Sequence, residues 1–308
     1  MTTLVSPTPA GRIPRIRLPI RLPRYVVVFL LPATAVYTVF MIYPLLSSIG
    51  LSLMSGPTQQ EQFVGLQNYS TLLTNPAYSD RFWGALRQTF LFSAIHLSVQ
   101  LPVGLLIAEI LSRPGLRARG FFRTAIFLPT TISIVIVAFI WQLILSPLWG
   151  LTDAAPLGNG GWALVTLSLI SVWQYVGLSM LMFYAVLISV PRDLLDAALV
   201  DGAGAWATFR HVKLPLVLPM LGVAAIITYI ANLNSFEIVF TTKGPLAGPN
   251  YSTDIMGTFF YRTFFGYQWQ LGSPTMGATV ASMMLLVISI GVGLYIGVYR
   301  RRVETHEL

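Results

Sequence analysis

Apolar residues along this chain gather into six long runs, and polar residues are pushed into the segments between them. The runs cover about 25–54, 85–111, 124–145, 162–189, 216–241 and 275–299. As a helix rising about 1.5 Å per residue, each is long enough to cross a hydrocarbon layer, which needs roughly 20 residues. The runs at 124–145 and 162–189 contain no charged residue. In the second run Arg87 and Glu109 sit near opposite ends, and Arg113, four residues after Glu109, makes a favourable helical pair with it. The basic stretch before the first run, followed by Ala33-Thr34-Ala35, has the outline of a secretory signal. The apolar residues continue to about Met54, far past a signal core, so the run reads as an uncleaved span with Pro32 and Pro44 as kink positions. Segments 55–84 and 242–274 read as a polar loop and an aromatic-rich loop. The six spans read as one domain, 25–299, between tails 1–24 and 300–308.

One stretch breaks this rhythm. Residues 190–219 lie between the fourth and fifth runs but carry Arg192, Asp193, Asp196, Asp201, Arg210, His211 and Lys213. An Asp, Lys or Arg at a bilayer centre costs roughly 2.5–3.5 kcal/mol, so this stretch is not a span. Its pattern is still ordered. Pro191 suits a first helical position, Leu194, Leu195, Ala198 and Leu199 recur at helical spacing, and Gly202 and Gly204 permit a sharp turn. A second short helix is predicted from Ala205 to Val212. The stretch therefore reads as a helix–turn–helix on the membrane surface, whose small residues Ala197, Ala198, Gly202 and Ala203 leave room for a partner. An amphipathic helix lying on lipid is the other reading.

Composition sharpens the class. Of 308 residues 55% are hydrophobic and 10% charged, against about 25% charged in soluble domains. The formal charge is +8, and there is no cysteine, which excludes disulfides and thiolate metal sites. With the N-terminus in the cytoplasm, the inside segments hold fifteen of the nineteen basic residues and leave Arg81, Arg87, Lys243 and Arg262 outside. Positive charge favours the cytoplasmic side, so both termini and segment 190–215 are expected there, and the net charge needs no nucleic acid.

Catalytic patterns are missing. No phosphate-binding G-x-x-x-x-G-K-[ST] is present, and neither Lys213 nor Lys243 follows a glycine-rich loop. There is no H-E-x-x-H or G-x-S-x-G, and His96, His211 and His306 are isolated. His96 reads as a buried packing or pore-lining group. No enzyme activity, catalytic residue, metal or bound cofactor is expected of this chain. A polar solute crossing the bilayer does need partners there. Asn232, Ser235 and Phe236 fall at i, i+3 and i+4, with Glu237 next to them. Trp173, Gln174 and Tyr175 lie near the middle of the fourth span. Amides suit sugar hydroxyls and aromatic faces suit pyranose rings. The competing reading is contact between helices, since Asn and Gln often bond across spans.

DAALVDGAGAWATFRHVKLPLVLP (residues 196–219) resembles the cytoplasmic EAA loop of ABC-importer permeases. The pattern falls on Asp196, Ala197, Ala198, Gly202, Leu214 and Pro215, with Asp196 in place of the usual Glu. Asp201, Gly202, Ala203 and Phe209 resemble the sugar-importer version. The segment Phe63-Val64-Gly65-Leu66-Gln67-Asn68-Tyr69 and the segment 230–245 are similar to other stretches of those permeases, in which the helix after the EAA loop and its neighbours hold the sugar. The resemblance implies an all-α membrane protein with the six-helix fold of type I importers, in a bacterial or archaeal cell membrane. It implies a second homologous permease, two cytoplasmic ATPase subunits carrying ATP and Mg, an external solute-binding protein and a carbohydrate substrate. A permease for glycerol phosphate, polyamine or phosphate, or an autonomous secondary transporter, is the alternative.

Overall fold

The computed structural model describes residues 24–56, 60–113, 115–149, 157–158, 160–268 and 270–303. Five helices are long and apolar enough to cross a membrane: Tyr25–Ser52, Pro76–Ser112, Ala163–Ser189, Ala205–Lys243 and Pro274–Gly297. A sixth span is a bent pair, Arg119–Thr131 followed by Ile134–Ile144. The two small hairpins, Met54–Ser55 with Gln62–Phe63 and Gly266–Tyr267 with Gln270–Leu271, are the strands among the described residues. Of the expected tails 1–24 and 300–308, residues 1–23 and 304–308 lie outside the described residues, and 300–303 continue the last helix.

The chain divides into two compact units, 1–47 and 48–308. In the first, none of residues 25–47 is buried, and Phe29 and Phe40 are largely exposed. A helix satisfies its own backbone, so an apolar helix with no buried side chain suits lipid or a partner's surface. In the second unit the core forms three clusters. One joins the second, broken and fourth spans to the end of the fifth through Phe92, Ala138, Leu167 and Val239. Another packs the second, fourth and fifth spans through Leu105, Met180, Phe183 and Val217. The last ties the start of the second span to Met256, Phe259 and Val280. Close approach needs glycine at Gly177, where a Cβ would stand 2.5 Å from the Ile126 carbonyl oxygen.

A recurring local device widens the helix in three of the spans. Single wide turns occupy Thr38–Ile42, His96–Gln100 and Phe209–Lys213. Each is followed, two residues past its end, by a proline: Pro44, Pro102 and Pro215. A proline ring crowds the carbonyl four residues earlier and offers it no N–H. Those carbonyls belong to Phe40, Ser98 and His211, all inside the wide turns, which open the backbone to admit the ring.

Several boundaries differ from the sequence pattern. The second span starts at Pro76 and not near residue 85, with Asn75 Oδ1 accepting from the Ala77 amide at 3.0 Å. The expected polar loop before it contains the helix Gln67–Thr74. The third run is not one straight span. Its halves meet at 95°, because Pro129 lies in a 3₁₀ turn, Leu128–Thr131, and Ile132 and Ser133 turn extended. The short helix expected at 205–212 does not stop there. It runs through the wide turn into Leu214–Leu233, so the fifth span begins at Ala205. The aromatic-rich loop is a built element, with a helix at Met256–Phe265 whose first amide donates to Thr89 Oγ1 at 2.9 Å. Within it Arg262 is buried, pairing with Asp254 at 2.6 Å and donating to the Pro245 carbonyl at 2.7 Å.

Candidate functional site

A cavity of about 240 Å³ opens between the second, fourth and fifth spans. The fifth span makes room for it by breaking. Its helix ends at Leu233, and a new one, Glu237–Lys243, starts after Phe236 takes φ −145° and ψ −51°. Asn and Ser side chains compete with helical bonding, and Asn234 Nδ2 turns back to the Ile230 carbonyl at 2.9 Å. Irregular backbone at membrane depth is tolerated where it borders a cavity or lies within protein. Glu237 then occupies the first turn of the second piece, where the positive end of a helix favours a carboxylate.

Two residues that line this cavity each carry a buried polar atom with no partner among the described residues. His96 is 2% exposed, and its Nδ1 lies 2.8 Å from the Phe92 carbonyl oxygen. That oxygen only accepts, so the proton sits on Nδ1 and Nε2 of the neutral ring is an acceptor. Among the described residues Nε2 has no hydrogen-bond partner. Asn232 is 6% exposed, and its Nδ2, a donor, has none either. An unpaired buried polar atom costs about 1–3 kcal/mol, so both atoms are poised for something that fills the space. Gln100, one helical turn after His96, donates to Ser179 Oγ at 2.8 Å.

The residues expected along a solute path divide. Tyr175, Asn232, Ser235 and Glu237 line the cavity. Trp173, Gln174 and Phe236 do not. Trp173 is half exposed on the outside of the fourth span, edge-on to Trp141 at 5.7 Å. Gln174 is fully buried and holds the bend in the broken span: its Nε2 donates to the Ile132 carbonyl at 2.8 Å, while Thr130 Oγ1 donates to its own carbonyl at 2.9 Å. Phe236 stacks in an aromatic group with Phe240 at 4.7 Å and Tyr261 at 5.3 Å. The helix break removes the i, i+3, i+4 face that joined Phe236 to Asn232. Gln100, Ser171, Thr228 and Asn234 also line the cavity, and spacing from His96 is the one sequence signal that points to Gln100.

The segment between the fourth and fifth spans forms the expected turn. Its helix, Arg192–Val200, closes with the Gly202 amide bonded to the Leu199 carbonyl at 3.1 Å and the Ala203 amide to Ala198 at 2.9 Å. This paired closure requires a left-handed residue, and Gly202 supplies it at φ +74°. Asp196, Ala197, Asp201 and Gly202 are exposed, as are Leu199, Val200 and Trp206. Ala198 is buried, Ala203 is half-buried, and Pro215 is exposed. Phe209 and Leu214 pack against the core beneath. Glu109 joins this end through Lys213, whose Nζ is 3.0 and 3.1 Å from its two oxygens, whereas Arg113, the partner expected from spacing, stands at 3.6 Å.

Apolar spans bordering a cavity of mixed polar and apolar lining, with an exposed polar turn between the fourth and fifth spans, are the features of a multi-pass membrane permease. Residues 100–304 match the binding-protein-dependent transport system inner membrane component family, and the chain belongs to that family. It is 31% identical over 286 residues to the trehalose/maltose transport system permease protein MalF of Thermococcus litoralis, covering 88% of this chain and 93% of the relative. The lactose transport system permease protein LacF of Rhizobium radiobacter is 29% identical over 274 residues, 85% of this chain and 89% of LacF. The fold is similar to that of a bacterial ABC transporter involved in the import of the acidic polysaccharide alginate, at TM-score 0.76 and 22% identity, covering 90% of this chain and 96% of that one.

Proposed function

We propose that this chain is the permease subunit through which a binding-protein-dependent ABC importer conducts a sugar or oligosaccharide. The observation that carries the reading is the unpaired acceptor, His96 Nε2, and the unpaired donor, Asn232 Nδ2, at one cavity. A hydroxyl both donates and accepts, so a polyol satisfies the two together. The sugar-transport relatives support it. Two ATPase subunits, carrying ATP and Mg, engage the turn around Asp196, Gly202 and Pro215 from the cytoplasm. An external binding protein delivers the solute, and a second homologous permease completes the path. The chain itself hydrolyses nothing. As the ATPases close, the turn passes their movement to the fifth span, and through Lys213 and Glu109 to the second, so that the cavity between those spans opens to alternate sides.

The test is transport by the reconstituted importer, with complex stability measured in parallel. Hydrogen bonds at membrane depth are worth about 0.6–2 kcal/mol, so Asn232→Ala is expected to lower sugar uptake about 3- to 30-fold with little change in thermal midpoint. A lowered midpoint with uptake intact would make Asn232 a contact between helices and remove the reading's main support.

A further inference from the structure

The charges around the cavity narrow what it accepts. Among its described lining residues there is no Lys or Arg, and the one carboxylate is Glu237. Three cations on the fifth span and the segment after it have partners outside the cavity lining. Lys243 Nζ is bonded to the Leu157 carbonyl, Lys213 to Glu109, and Arg262 to Asp254. His96 donates through Nδ1 to the Phe92 carbonyl and, as a neutral ring, offers an acceptor at Nε2. The remaining polar lining, Gln100, Ser171, Tyr175, Thr228, Asn234 and Ser235, is uncharged.

We infer that this cavity accepts neutral and amino-bearing saccharides and rejects uronates, phosphate esters and other anionic solutes, with Glu237 as the discriminating residue. The inference rests on the sugar-permease reading above and refines it. Among the described lining residues of this chain an anionic group finds no Lys or Arg to receive it and meets a like charge. At a separation of about 6 Å and an effective dielectric of about 40, that repulsion weakens binding about tenfold. A linear polyamine escapes the repulsion but brings donors alone. It satisfies His96 Nε2 and leaves the Asn232 donor unpaired, so a cation without hydroxyls is also a poor fit.

The experiment uses the assembled importer in nanodiscs, without its binding protein, so that the permease's own preference is read. Pools of neutral, uronic-acid and amino trisaccharides of equal length are titrated by saturation-transfer NMR. The neutral and amino pools are expected to bind, with the uronates at least tenfold weaker. Glu237→Gln is expected to reduce that ratio about tenfold, and Glu237→Asp, which keeps the charge, to preserve it. Uronates binding as tightly as neutral sugars, or a ratio that ignores Glu237→Gln, overturns the charge rule while leaving the sugar reading in place. Binding by none of the three pools removes the sugar reading and the charge rule with it.

Discussion

Gly202 takes φ +74° with nothing within 4 Å of where its Cβ would stand, so a side chain there strains the backbone without striking this chain. The two effects of substitution can therefore be separated. Left-handed geometry disfavours a non-glycine residue by about 1–2 kcal/mol, and Gly202→Ala is expected to lower the permease's thermal midpoint by only a few degrees. Loss of ATPase stimulation by loaded binding protein beyond that small shift reports a partner surface pressed against the turn. Full stimulation in Gly202→Ala and in the bulkier Gly202→Asp would leave the segment as a surface helix on lipid. His96 illustrates the same scale differently. Its bond to Phe92 is local, four residues apart, and assigns the ring's tautomer. Its unpaired face acquires meaning only from residues on other spans.

Among the elements, the broken third span and the broken fifth span carry the most information. Both follow polar or proline-bearing interruptions in apolar runs: Pro129-Thr130-Thr131 in one and Asn234-Ser235 in the other. Hydropathy averages over such interruptions, so each run reads as continuous. Gln174 holds the first break open from the neighbouring span. Gln174→Leu keeps the volume and leaves the Ile132 carbonyl without its donor, an expected loss of about 1–3 kcal/mol. Thermal unfolding of the detergent-solubilised complex should register it, with sugar binding per folded complex preserved. Unchanged stability with weakened sugar binding would instead assign Gln174 to the solute path. Prolines 44, 102 and 215 show a legible cause with an unobvious consequence. Each proline is visible in sequence, yet helices can answer one by kinking, ending or opening a wide turn, and all three open a wide turn.

At the scale of the molecule, the proposed engagement of the turn by ATPases requires it to lie on the cytoplasmic side. The cysteine-free chain allows single labels without background. Cysteines replacing Ser70 and Asn250, both exposed, should react with an impermeant thiol reagent from outside intact cells, and one replacing Ala205 only after the cytoplasmic face is opened. Reaction at Ala205 from outside would invert the topology and remove the cytoplasmic turn from the mechanism.

What the chain declares on its own is what sums locally. Apolar length marks the spans, the Gly202 spacing marks the turn, and a long motif marks the family, because each depends on residues close in sequence. Tertiary structure decided the rest. The Glu109–Lys213 pair spans 104 residues, and its rank over the adjacent Arg113 follows from how the second and fifth spans meet. Asn232 and Gln174 are similar amides in similar apolar runs, and no local pattern separates them. One faces an open cavity and the other a carbonyl on a bent neighbour, since a polar side chain's role at membrane depth is set by what the packed spans place opposite it.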